Sequence, residues 1–173
     1  MTIHVPESPV NRLAAGWRAG LAGGSILAVL FIVLAAAGAG CNEKPAGLEA
    51  LNTRVVTFPN GFKVRAEVMV HQTDMMRGMM FRKSLDADRG MLFIHASPGL
   101  FPYWMYQVEI PLDMIWLDRD GRIVELVPNA PPCETVASQC PSYGGTKPAL
   151  MVLELQAGSI ERHNLRVGMR LDL

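Results

Sequence analysis

The stretch F-K-V-R-A-E-V-M-V, Phe62 to Val70, alternates strictly: Phe62, Val64, Ala66, Val68 and Val70 fall on one face, Lys63, Arg65, Glu67 and Met69 on the other. Successive side chains of a strand point to opposite faces, so this period of two reads as a half-buried β-strand. Arg54–Phe58 reads as its hairpin partner, joined through Pro59-Asn60-Gly61, where Asn-Gly takes positive φ at little cost.

Further apolar or alternating runs follow at Met91–His95, Tyr103–Val108, Met114–Leu117, Arg122–Val127, Leu150–Leu155 and Met169–Leu173, separated by turns such as Asp118-Arg119-Asp120-Gly121. Short strands at this spacing predict a mainly β domain, a compact antiparallel sandwich of jelly-roll-like form. Two short helices are expected to decorate it, Thr73–Met80 with Thr73 as N-cap and Ser159–Asn164 opened by Ser159.

The N-terminal part is of another kind. Ala19 to Gly40 carries no charge, and 12 of its 22 residues are Ala or Gly. As a helix it reaches roughly 33 Å, enough for a hydrocarbon core about 30 Å thick. Arg12 and Arg18 precede it and Glu43 follows, which predicts a cytoplasmic N-terminus and an exported remainder. The run ends A-A-A-G-A-G-C at Cys41, similar to the lipobox of bacterial lipoproteins, although Gly38 stands where Leu is usual. A lipidated Cys41 and an uncleaved signal anchor are both compatible with the pattern.

The organisation expected is therefore a cytoplasmic segment 1–18, a signal or transmembrane segment 19–41, a Pro- and Gly-containing tether 42–52 and a β-domain 53–173. The whole chain of 173 residues balances 16 Lys+Arg against 16 Asp+Glu, and residues 42–173 carry 14 and 15. That balance offers no electrostatic footprint for a phosphate backbone, so nucleic acid is not an expected partner. The expected location is the bacterial cell envelope, with the membrane as partner through the N-terminal segment and the domain on the extracytoplasmic side.

Cys133 and Cys140 enclose six residues between Pro131-Pro132 and Pro141. In an oxidising compartment they predict a disulfide that stiffens a Pro-rich turn; the spacing is not the C-x-x-C of redox pairs, and no second Cys or His pair suggests a metal site.

H-Q-T-D-M-M-R-G-M-M-F-R, His71 to Arg82, places Met75, Met76, Met79 and Met80 within six residues. Thioethers select Cu(I), so a copper site is one reading; the other is that Met fills an irregular core beneath a helix, as helically spaced Met usually does. Arg77 and Arg82 flank Gly78 and have the fork geometry for a carboxylate or phosphate, against the alternative of pairing with Asp74 or Asp113. Phe101 to Asp113 brings Tyr103, Trp104, Tyr106 and Gln107 together, aromatic walls with an amide handle, as small-molecule pockets use; in a strand Trp104 and Tyr106 share one face and Tyr103 and Met105 the other.

Dispersed histidines and the absence of nucleophile-elbow, zincin, Walker or dinucleotide motifs leave catalysis unsupported and no cofactor implied. The ligand-binding set expected is Arg77, Trp104, Gln107, Asp113 and Tyr143, in a non-catalytic module that takes a small polar ligand or an envelope protein. The alternatives are an envelope hydrolase using Asp113 or Glu154 as acid/base, and a Cu(I)-binding protein built on the four methionines.

An ordered set of motifs carries a resemblance: R-G-M-M-F-R (Arg77–Arg82), G-M-L-F (Gly90–Phe93), W-M (Trp104–Met105), I-P-L-D-M-I-W-L-D (Ile110–Asp118), D-G-R-I-V-E (Asp120–Glu125), N-A-P-P-C (Asn129–Cys133), C-P-S-Y (Cys140–Tyr143) and V-L-E-L-x-A-G (Val152–Gly158). From about Arg54 to Leu173 the chain resembles the domain-of-unknown-function 192 family. The resemblance implies a compact, mostly β domain, frequently exported, and no activity. Where the family commonly shows Lys-Asn-Thr after Trp-Met, this chain has Tyr106-Gln107-Val108, so a cation and a hydroxyl are missing there.

Overall fold

The computed structural model describes residues 52–173. The expected segments 1–18 and 19–41, most of the tether and Cys41 lie outside them; among the described residues no helix is long and apolar enough to cross a membrane. Eight strands are present: β1 (Thr53–Thr57), β2 (Lys63–Met69), β3 (Arg89–Gly99), β4 (Tyr103–Trp104), β5 (Leu112–Leu117), β6 (Ile123–Ala130), β7 (Ser142–Tyr143) and β8 (Ala149–Gln156). With them come two short helices, α1 (Gln72–Arg77) and α2 (Ser159–Arg162), and a 3-10 turn at Ala137–Gln139.

Six strands form one sheet in the order β1-β2-β3-β8-β5-β6, and β4 and β7 form a separate two-stranded ribbon. β1 and β2 make the predicted hairpin, with Val56 opposite Val64. β2 and β3 run parallel, Ala66 beside Gly90 and Val68 beside Leu92, because the chain between them crosses over through α1 rather than turning back. The sheet is therefore mixed, which corrects the all-antiparallel expectation.

Nor is it half of a jelly-roll sandwich. Met169–Leu173, expected as a strand, instead forms isolated bridges that tie the two edge strands together. Thr57 and Asp172 exchange both backbone hydrogen bonds at 2.7 and 2.9 Å, and Leu171 N–H donates to Gly121 O at 2.8 Å beside the start of β6. The tail thus covers edges that would otherwise present unpaired backbone groups.

The central strands β3, β8 and β5 are buried on both faces. Val56, Val64, Leu92, Ile115, Leu153 and Leu171 pack in one core, while Met91, Phe93, Met105, Met114, Trp116 and Val152 pack in a second on the opposite face. This explains why β5 reads L-D-M-I-W-L without polar alternation: every residue is buried. β2 keeps the predicted alternation where only one face is covered, with Val64 and Ala66 buried and Lys63 and Arg65 exposed.

Helix boundaries differ from the expectation at both caps. His71, not Thr73, is the N-cap of α1 and makes no side-chain capping bond. Gly158 at φ +83° precedes α2, and Ser159 Oγ donates backwards to Gln156 O at 2.6 Å. Cys133 and Cys140 are disulfide-bonded, as expected, with Cα atoms 5.7 Å apart.

Candidate functional site

α1 is too short to persist alone and is held by its continuation. It ends at Gly78 (φ +45°), where an added Cβ would press on the Phe93 ring at 3.3 Å. Beyond it, Phe81 at φ +65° donates its N–H to Gln107 O at 2.9 Å, and Arg82 grips Glu67 of β2 through both guanidinium nitrogens at 2.6 and 2.7 Å. These bonds fix the methionine-bearing turn against the Phe101–Val108 segment. That segment is anchored in turn by Trp116 Nε1, which donates to Phe101 O at 2.8 Å.

Between the two lies a cleft of about 840 Å³. Met75, Met76 and Met80 form one wall and Phe101, Trp104 and Tyr106 the other, with Arg77 also in the lining. The Trp104 and Tyr106 rings lie 5.4 Å apart, so they do share a face as the sequence suggested, although the strand there is only two residues long. Among the described residues the one ion pair is Arg82–Glu67, so Arg77 pairs with neither Asp74 nor Asp113.

An inner pocket of about 30 Å³ shares Met75, Met76, Arg77 and Met80 with the cleft and adds Met79, Phe93 and the carboxyl of Glu154. Glu154 lies on the second-core face of β8, opposite Met91 of β3 and Met114 of β5. It is 4% exposed, and its Oε2 has no hydrogen-bond partner. Burial pushes its carboxyl up to about 8, against the pull of the Arg82 cation, so it holds its proton at neutral pH.

Tyr103 links the two spaces. Its ring packs edge-on to Phe93 and Trp116, and its hydroxyl lies 3.2 Å from His95 Nε2. Burial, and then the charge of Glu154, drive the Tyr103 hydroxyl well above its ordinary range. His95 stacks on Phe101 with ring centroids 3.5 Å apart, and burial lowers its pKa. The site thus offers a neutral imidazole, a protonated tyrosine and a protonated carboxyl: hydrogen-bonding groups without net charge, set among thioethers and rings.

Of the five residues expected to bind a ligand, the structure brings Arg77 and Trp104 together. Gln107 is exposed at φ +57° and contributes its carbonyl to the Phe81 turn, not its amide to the cleft. Asp113 is fully buried away from it, accepting the N–H of Asn129 at 2.8 Å and of Ile160 at 2.7 Å. Both its oxygens are occupied, so it is not an available acid/base. Tyr143 pairs with Tyr103 across the β4–β7 ribbon and packs on the second core.

Glu154 stood only among the acid/base candidates and was absent from the ligand set. Its signal was present in A-L-M-V-L-E-L: a lone acid in an apolar strand, two residues from Val152 and hence on the same face. Of the methionines, the core reading holds for Met79, which is 1% exposed, and not for Met76, which is 68% exposed.

Residues 55–173 match the family model DUF192, described as uncharacterized ACR. The chain belongs to the DUF192 family. A DUF192 assignment carries the fold and no established activity, as the motif resemblance implied. A protein of unknown function from Novosphingobium aromaticivorans is similar, 28% identical with a TM-score of 0.60 over 70% of this chain and 84% of its own. A Sinorhizobium meliloti protein described as a candidate transcription regulator is 29% identical, with a TM-score of 0.59 over 68% of this chain and 89% of its own. No curated protein matches the chain.

Proposed function

We propose that this DUF192 domain is a non-catalytic binding module whose cleft between α1 and the Phe101–Tyr106 segment takes a small amphiphilic molecule. The observation that carries the reading is the cleft itself: about 840 Å³, walled by methionine and aromatic side chains, with the unpaired guanidinium of Arg77 in its lining. Such a space suits a ligand with an apolar body and one anionic group, which Arg77 would pair. The ligand is thus less polar than composition alone suggested.

The same proposal places the domain outside the cytoplasm of a bacterial cell envelope, tethered by residues 19–41. The Cys133–Cys140 disulfide supports this, since such bonds persist in oxidising compartments. We do not extend the regulator description of the Sinorhizobium protein to this chain, whose residues 42–173 carry 14 basic and 15 acidic side chains.

The test is to purify the full chain from its membrane fraction, extract bound small molecules and identify them by mass spectrometry. A compound enriched with the natural chain and lost with Arg77→Ala and Trp104→Ala supports the module. Equal recovery from all three chains removes it.

A further inference from the structure

Core packing accounts for two of the four clustered methionines, Met79 and the half-buried Met75 that packs against it, and leaves Met76 and Met80. Met79 is sealed in the second core, whereas Met75, Met76 and Met80 line the open cleft as well as the inner pocket. A 68% exposed thioether at Met76 fills no void.

At the other side of this pocket, Glu154 is buried with Oε2 unpartnered. Buried polar atoms are almost always satisfied, and those that are not call for an explanation. The groups facing it are already engaged or distant from it in purpose: Arg82 holds Glu67 through both nitrogens, Tyr103 hydroxyl meets His95, and Arg77 belongs to the exposed part of the lining. Tyr106 also lines this pocket and brings no charge.

We propose that the inner pocket binds one soft monovalent metal ion, Cu(I) or Ag(I), with thioether donors from Met75, Met76, Met79 and Met80 and the carboxylate of Glu154 as the anionic donor. Thioethers select soft ions of this kind. The metal ion takes the place of the Glu154 carboxyl proton, which leaves to solvent, so one positive charge enters as one departs and the ion–carboxylate pair is neutral overall, as an interior requires. The Trp104 ring in the same lining offers a face on which a cation is further stabilised.

Size and donor type decide against an organic cation. A pocket of about 30 Å³ has room for a single water-sized body, which excludes a quaternary ammonium. A primary ammonium needs three acceptors, while this lining offers one carboxyl, the Tyr106 hydroxyl and a Tyr103 hydroxyl already engaged with His95, among sulfurs. The two spaces share Met75, Met76 and Met80, but Glu154 lines the inner pocket and not the outer cleft, so Glu154→Gln separates the metal site from the organic ligand assigned to the cleft.

The experiment uses the full chain in detergent with Cys41→Ser, which removes the only cysteine outside the disulfide. Methionine methyl groups labelled with carbon-13 are followed by NMR during titration with silver nitrate. One equivalent should saturate the shifts of the Met75, Met76, Met79 and Met80 methyls. Glu154→Gln and Met76→Leu should each weaken silver binding at least tenfold; the second change is at an exposed side chain and leaves the fold intact. Unmoved resonances, or affinity unchanged in folded Glu154→Gln, overturn the proposal. Shifts of the same methyls by methylammonium and not by silver overturn it in favour of an ammonium site.

Discussion

Asp113 of β5 accepts the backbone N–H of Ile160 at 2.7 Å, tying the middle of the sheet to the start of α2 across 47 residues of chain. Its second oxygen accepts Asn129 N–H at 2.8 Å, where Asn129 takes a positive φ at the end of β6. Asp113→Ala would strand both amides, each at about 1–3 kcal/mol. Denaturant unfolding should therefore show a loss of about 2–5 kcal/mol, with ligand recovery from the residual folded protein unchanged. A loss of ligand without loss of stability would return Asp113 to the binding site.

Glu154 makes the stability of the domain depend on pH in a direction opposite to that of a salt-bridged acid. Its folded carboxyl titrates near 8 against an ordinary value of 4.5. Below about pH 4.5 both states are protonated and the residue has no net effect. Between there and about pH 8 the unfolded chain ionises while the folded chain keeps its proton, so stability falls as pH rises, by up to a few kcal/mol. Glu154→Gln should flatten this slope and make the variant more stable than the natural chain at pH 8. Parallel unfolding curves at pH 5 and pH 8 for the two chains check it.

Gly144 lies at φ +57° directly over the Trp116 ring, and an added Cβ would overlap the ring atoms. The clash is with a fully buried indole whose Nε1 is already committed to Phe101 O, so the ring has no room to yield. Gly144→Ala is expected to cost about 2–4 kcal/mol, combining overpacking with left-handed strain. Because Trp116 also positions the Phe101 wall, near-ultraviolet circular dichroism and thermal melting should change together.

The disulfide closes a short loop, Cys133 to Cys140, seven residues apart in sequence. On the chain-entropy estimate its removal by Cys133→Ser with Cys140→Ser costs about 2–3 kcal/mol. Neither cysteine lines the cleft. Melting temperature should fall while Arg77-dependent ligand recovery persists.

How much was legible depended on whether a residue's environment comes from its neighbours in sequence. The β1–β2 hairpin was, because Asn60-Gly61 and the alternation of Phe62–Val70 are local signals, and so was the pairing of Cys133 with Cys140. Trp104 and Tyr106 were correctly expected to share a face, since two-residue spacing sets that in extended chain. Asp113 and Tyr143 were misplaced because their partners, Ile160 and Tyr103, are some 40 residues away. Thr73 failed as a cap because the observed cap, His71, lies two residues earlier, where the crossover from β2 delivers the chain.

The amino-acid sequence by itself determined family membership, the mainly β character, the Met-rich turn and the disulfide, all of which follow from local pattern or ordered motifs. Tertiary structure alone decided that β2 and β3 run parallel, that the C-terminal tail ties the sheet edges, and that β8 lies between β3 and β5. That last placement is what buries Glu154. Insertion of β8 sets Met91 and Met114 on either side of the carboxyl and seals it from water. Solvation, which local sequence does not encode, turns an acid in an apolar strand into a buried carboxyl in the inner pocket with one oxygen unpartnered.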